Sequence, residues 1–469
     1  MPSPTLARQI HLSAAIALVI SNMVGTGIFI TPSYLAADLG SPALYFSVWL
    51  AGGLIAAIGA LCYSELGINF PSSGGEYVFL TQAYGPVWGF MTGWTSFLAG
   101  FAAPAAAASL AFADYTGTFF PVFEQKNIFW SAGESWFRIQ IGGAQVLACA
   151  TIGLFTAVNL FGVQRAANVQ KFLTGLKLAV IGVFILFGLL AGAGNWDNFS
   201  LPAIRETTTP LPAQIAISLF YVYVSFSGWN AATYVAEELR DPVRNLPRAL
   251  VTGAAIVTVL FLLLNITFVY AAPLGAMKGV PAIGSLAATR LFGAAVGTLF
   301  SALIALALLA MIHAMLTAGP RVVYAMARNG AFFRAAARID PHWRTPAPAI
   351  LMQGLVAMLF TLTSLPSLFF FIGFTLNAFS VLSVAALFRF RRRPGWKSLP
   401  AVSFLWPTLP VVFMVVGAWM TFFGLTLAPR IALAACALIG AGAFFYHRQW
   451  KGTRSWPPSS TASSSATRF

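Results

Sequence analysis

The chain has 469 residues, of which 58% are hydrophobic and only 8% charged. Soluble domains average about 25% charged residues, so the composition excludes an ordinary soluble enzyme or binding module and reads as one polytopic helical membrane domain. The net charge of +15 is read as loop charge that sets membrane orientation, not as a nucleic-acid surface.

Apolar runs suited to crossing a bilayer, which takes ~20 residues, fall at 12–35, 43–68, 88–117, 139–161, 169–194, 212–236, 249–273, 284–327, 347–364, 367–390, 402–426 and 430–448. Twelve crossings place both termini on one side. Residues 1–11 then form an N-terminal segment, 12–450 a single transmembrane domain, and 451–469, rich in Ser, Thr and Pro, a disordered tail. The eighth run is long for one span and should carry a loop helix before Gly293. With this count Arg321, Arg328, Arg334, Arg338, Arg344, Arg389, Arg391, Arg392, Arg393 and Lys397 share the side of the N-terminus. The opposite side holds Lys126, Arg138, Arg205, Lys278, Arg290 and Arg430. Cytoplasmic loops collect Lys and Arg, so both termini are expected in the cytoplasm. Cys62, Cys149 and Cys436 all lie in apolar runs and the four histidines make no ligand pattern, so no disulfide, metal site or cofactor is expected.

The first span is interrupted by Ser21-Asn22-Met23-Val24-Gly25-Thr26-Gly27. Each glycine costs about 1 kcal/mol relative to alanine inside a helix. A break at membrane depth frees backbone groups that lipid cannot satisfy, and survives only where it lines a cavity or is buried in protein. Two half-helices, Ile16 to Asn22 and Thr26 to Leu35, would then present the free N–H groups of Gly25, Thr26 and Gly27 at a positive helix end that suits a carboxylate. Close helix packing through small residues is the competing account of the same glycines.

The loop after the second span, Phe70 to Pro86, holds one acid, Glu76, and no basic residue. It reads as a turn and a short amphipathic helix at the cytoplasmic surface, near where a gate would close. Lys177 lies inside the fifth span, where an ammonium is costly and marks a functional site by default. It would either meet the carbonyls freed at the first break, as a built-in cation where sodium might otherwise bind, or snorkel to the interface.

A second interruption, Ser225-Phe226-Ser227-Gly228-Trp229-Asn230, comes five spans after the first, and each is followed by an acid and a proline: Asp38 with Pro42, and Asp241 with Pro242. An odd spacing gives the two repeats opposite orientations. Interrupted segments at matching positions of inverted halves point to a transporter's binding site. Tyr223, Phe226, Trp229 and Tyr234 cluster here and could close over a substrate. Asn377, among phenylalanines on the tenth span, is a candidate polar wall residue.

Four stretches carry a family resemblance: Asn22 to Phe29, Pro71 to Tyr77 (Pro-Ser-Ser-Gly-Gly-Glu-Tyr), Phe226 to Asn230, and Glu237 to Pro247. In this order they resemble the amino acid–polyamine–organocation superfamily, and within it the L-type amino-acid transporters. The resemblance covers nearly the whole chain. It implies an all-α leucine-transporter fold with helices 1 and 6 broken: two inverted five-helix repeats, about 12–194 and 212–390, plus two further helices, about 402–448. It implies an amino-acid carboxylate on Gly25, Thr26 and Gly27, and an α-amino group on carbonyls near Met23 and at Phe226 and Ser227. Gly228 and Asn377 complete the candidate binding set. Lys177 matches the fifth-helix lysine that replaces a sodium in this family.

Two departures stand out. Thr26 takes a position often held by Ser, and its hydroxyl can still donate. Val224 stands where the family has a gating aromatic, five residues before Trp229, so Phe226 is the alternative gate. Animal relatives carry a cysteine after the third helix that tethers a glycoprotein partner; residues 118–138 contain none. No such heavy chain is expected, and a prokaryotic inner membrane is the expected location. The leading function is thus a sodium-independent permease or exchanger for neutral amino acids. The alternative is a proton-coupled or exchange transporter of cationic amino acids or amines, which would want an acidic residue in the site. A membrane-embedded enzyme is remote, because His313, the one histidine inside a span, has no partner motif.

Overall fold

The computed structural model describes residues 10–71, 74–133, 139–161, 163–328 and 330–450. Ser72, Ser73, Arg138, residues 1–9 and the tail 451–469, on which some expectations fall, lie outside them. Helix α1 (Leu12–Met23) and helix α2 (Gly27–Leu39) meet at a break bent by 44°. Helix α3 (Pro42–Asn69) leads to the loop helix α4 (Glu76–Tyr84). The next span is α5 (Pro86–Thr95), a π-helical stretch at Ser96–Ala102, and α6 (Ala103–Gly117). A small antiparallel ribbon follows, β1 (Ile128–Ala132) with β2 (Ile139–Gly142), before α7 (Gly143–Leu160) and α8 (Val163–Ala191).

The second half starts with α9 (Leu211–Phe226), a break at residues 227–230, and a 3₁₀ turn helix (Ala231–Glu238). Then come α10 (Pro242–Ala271), α11 (Leu274–Met277), α12 (Ile283–Phe292), α13 (Ala294–Arg328), α14 (Ala347–Phe360) and α15 (Leu365–Phe390). The short α16 (Pro400–Phe404) precedes α17 (Thr408–Leu427) and α18 (Pro429–Phe445). Proline at the first helical position opens α3, α5, α10 and α18, where its missing N–H would have had no partner anyway.

Among the described residues ten helices are long and apolar enough to cross a membrane, or eleven if α1 and α2 count as one bent span. The protein is therefore a multi-pass helical membrane protein. The expected span 347–364 is the one that falls short: α14 has 14 residues, about 21 Å at 1.5 Å per residue. The fourth predicted span also begins later than expected, since residues 139–142 are strand; paired with β1 they form the ribbon that departs from an all-α chain among the described residues. The loop helix expected before Gly293 is α12, and Gly293 turns the chain into α13 at φ +86°.

The broken helices sit at the centre. α2 lies on α9, and a Cβ placed on Gly27 would stand 2.4 Å from Ser225 Cα. Thr31 Oγ1 and Ser225 Oγ share a hydrogen bond of 2.9 Å. Gly228, at φ +99°, takes a conformation that L side chains rarely adopt, and a Cβ there would meet the Asn22 backbone at 2.9 Å. At the N-terminal end of α1, Ile10 N–H donates to Glu238 O and Arg240 N–H to Ile10 O, both at 3.0 Å, which straps α1 to the end of the turn helix.

A candidate substrate site between two helix breaks

The first break leaves backbone groups on both sides. Val24 N–H still bonds Ile20 O and Phe29 N–H bonds Thr26 O, but the N–H groups of Gly25, Thr26 and Gly27 take no backbone partner among the described residues. They stand at the start of α2, where the helix dipole is positive. Thr26 Oγ1 is buried and has no hydrogen-bond partner among the described residues. An unsatisfied hydroxyl beside three free N–H groups is the donor set that a carboxylate would take.

The freed carbonyls have a partner. Lys177, only 2% exposed, donates from Nζ to Ser21 O at 3.0 Å and to Val24 O at 2.5 Å. The ammonium is held inside the bundle and does not snorkel. One turn earlier on α8, the hydroxyls of Thr174 and Ser21 lie 3.3 Å apart, a second polar contact between α8 and the first break.

At the second break Ser227 N–H and Oγ–H both donate to Val224 O, at 3.1 and 2.7 Å. Between the breaks lies a cavity of about 20 Å³. Its polar wall is Asn22, Met23, Gly25, Thr26, Gly27, Ser225 and Ser227. Its apolar wall is Val224 with Pro104 and Ala107 of α6, Met311 of α13, and Phe369 and Ile372 of α15. A Cβ on Gly25 would lie 3.1 Å from Met311 Sδ. Gly25 thus faces the cavity, whereas Gly27 serves the helix packing that was the competing account of the glycines. A second, larger cavity of about 300 Å³ opens at the opposite end of the bundle from Ile10, between Asp38, Gln214, Tyr221 and Ser367.

Four of the expected site residues are not among those that line this cavity. Phe226 packs on Trp49 and Phe261, with ring centroids 6.2 and 5.0 Å away, and does not line the cavity. Two residues along a helix are about 200° apart, so Val224 and Phe226 face opposite ways. Trp229 is wedged against Tyr63 and Phe413 at 4.6 and 6.3 Å. Gly228 is spent on the contact with Asn22. Asn377 turns to α17, donating to Gly417 O at 2.9 Å and Thr421 Oγ1 at 3.1 Å; it lies five positions beyond Ile372, about 140° around α15. Met311, Phe369, Ile372, Pro104 and Ala107 went unread, since they sit on helices with no polar interruption. The run Ala102 to Ala108 was the one available sign that α6 approaches the site closely.

Two facing helix breaks, free N–H groups at one half-helix, and a buried lysine on the carbonyls of the other make up the arrangement expected of a transporter's binding site. A family model for amino acid permeases matches residues 10–444, and the chain belongs to that family. It is an amino acid transmembrane transporter, not an enzyme, and the family implies the leucine-transporter type of fold. Similar proteins include the b(0,+)-type amino acid transporter 1 of Mus musculus, 28% identical over 95% of this chain and 88% of its own length. The large neutral amino acids transporter small subunit 2 of Oryctolagus cuniculus is 28% identical over 95% and 81%. The Asc-type amino acid transporter 1 of Mus musculus is 30% identical over 95% and 82%.

Proposed function

We propose that the chain is a sodium-independent carrier of neutral amino acids that works by alternating access. The observation that carries this reading is the cavity wall: the described residues around it include no Asp or Glu, and its side-chain face is apolar. A cationic side chain would lack a counter-charge there. The substrate carboxylate takes the N–H groups of Gly25, Thr26 and Gly27, and its ammonium takes carbonyls near Met23 and at Phe226 and Ser227. Lys177 stands in for a sodium ion at Ser21 O and Val24 O. The name of one relative, which specifies large neutral amino acids, agrees with the same substrate class.

The wider arrangement we infer is twelve crossings, with α14 as a short ninth. They form two inverted five-helix repeats and two added helices, with both termini cytoplasmic in a prokaryotic inner membrane. No disulfide-linked partner is invoked, since residues 118–138 hold no cysteine. The test is uptake of labelled amino acids into proteoliposomes with and without sodium, a proton gradient and internal substrate. Uptake of alanine, leucine or phenylalanine unchanged by sodium is the expected result; sodium-stimulated uptake, or transport of lysine and arginine alone, would overturn it.

Val224 offers a finer test. It lines the cavity opposite the first break, so Val224→Phe should move preference among alanine, leucine and phenylalanine while transport persists. An unchanged competition profile would remove Val224 from the substrate's surroundings.

A further inference from the structure

Glu76, only 6% exposed, is the first residue of α4, and its carboxylate is the meeting point of four elements. Its Oε1 accepts from Tyr63 Oη of α3 at 2.6 Å, from Asn230 Nδ2 of the second break at 3.2 Å, and from Ser380 Oγ of α15 at 3.4 Å. Ser380 in turn accepts from Tyr223 Oη of α9 at 2.8 Å. The loop is pressed close: Gly75, at φ +48°, would carry a Cβ 2.9 Å from Thr233 Oγ1 and from the Tyr234 ring. All the titratable groups facing Glu76 are tyrosines, namely Tyr63, Tyr223 and Tyr234. No Lys, Arg or His pairs with it among the described residues. Glu65, by contrast, carries a paired charge, with Arg391 bidentate on it at 2.7 and 2.6 Å.

A buried carboxylate with neutral partners is held at a cost that a proton removes. We propose that Glu76 is a proton-binding site that latches the Ile10 end of the bundle. Protonated, it holds α3, α4, α15 and the second break together; ionised, it lets them part and its proton passes to water. This rests on the reading of the chain as an alternating-access carrier. Burial raises the Glu76 carboxyl above its ordinary 4.5, and the hydrogen bonds from Tyr63, Ser380 and Asn230 offset only part of the rise. An acid raised in the closed form favours closure fully below the ordinary value. That contribution is lost as pH rises through the raised value. Opening at this end is therefore promoted by alkaline pH and held back by acid.

The experiment uses the full chain with Cys62, Cys149 and Cys436 replaced by alanine and Thr233→Cys as reporter, because Thr233 is buried beneath the loop. Its labelling by a water-soluble maleimide is followed from about pH 5 to about pH 8, beside the same chain carrying Glu76→Gln, which keeps the acceptor and removes the proton. The ratio of the two rates cancels the thiol's own titration. It should rise with pH, by up to about tenfold per unit where one proton is linked to opening; a constant ratio overturns the proposal. Tyr63→Phe removes the shortest hydrogen bond to the ionised form, so the rise should move to higher pH, and an unmoved curve also overturns it. That second arm decides the matter if Glu76→Gln fails to insert. Labelling needs no substrate, so the latch and the amino-acid reading can each fail without the other.

Discussion

Lys177→Ala should lose transport while the protein still reaches the membrane. The substitution takes the ammonium from Ser21 O and Val24 O and leaves two carbonyls at bilayer depth with nothing to accept from. Each such unsatisfied group costs about 1–3 kcal/mol, and the pair sits in the break whose geometry sets the carboxylate site, so α1 must rewind or shift. Lys177→Arg should fail as well. Its planar fork cannot place one point charge between two carbonyls drawn from successive turns of α1. The check is uptake at matched membrane abundance, with thermal stability of the purified variants beside it. Near-normal uptake by Lys177→Ala would remove the lysine from the mechanism.

Gly25→Leu should abolish binding for a different reason. The cavity measures about 20 Å³ and a Cβ at Gly25 already stands 3.1 Å from Met311 Sδ, so a leucine would fill the space and cover the free N–H groups. Amino acids esterified at the carboxylate should compete poorly with labelled substrate, on the same argument. Gly27→Ala makes the contrast, because its Cβ would run into the Ser225 backbone at 2.4 Å; its damage should appear as lost folding and low abundance. Wild-type-like uptake by correctly inserted Gly25→Leu protein would defeat the carboxylate assignment.

What could be read from the chain were the conflicts between local chemistry and surroundings. Glycines beside Ser21 and Asn22 in an apolar run, the same pattern at Ser225 to Asn230, and a lysine inside a span are each costly unless something compensates. Those costs are visible in one dimension. The apolar wall carries no such conflict: Met311, Phe369 and Ile372 look like every other lipid-soluble side chain until helices are packed together. The side chains of Phe226, Trp229 and Asn377 leave the cavity for the opposite reason. Nearness in sequence to a break says little when helical phase sends the Phe226 ring to Trp49, and a polar residue among phenylalanines says little when the same phase sends Asn377 to Gly417. The ribbon of β1 and β2 was hidden because Ile139 to Gly142 continues an apolar run into α7.

The fit between the two breaks bears on how this chain can be cut and recombined. Gly27 is shaped to Ser225, Gly228 to Asn22, and Ile10 to Glu238 and Arg240, although about two hundred positions separate the partners in each case. These contacts join backbone to backbone, so no flexible side chain is available to absorb a mismatch. A chimera that takes its first half from one relative and its second from another joins surfaces never fitted to each other. It would be expected to fail along that seam before its choice of substrate could be asked. Exchanges that carry residues 10–31 and 221–240 together keep the seam intact, and leave α6, α13 and α15 as the parts that can be swapped one at a time.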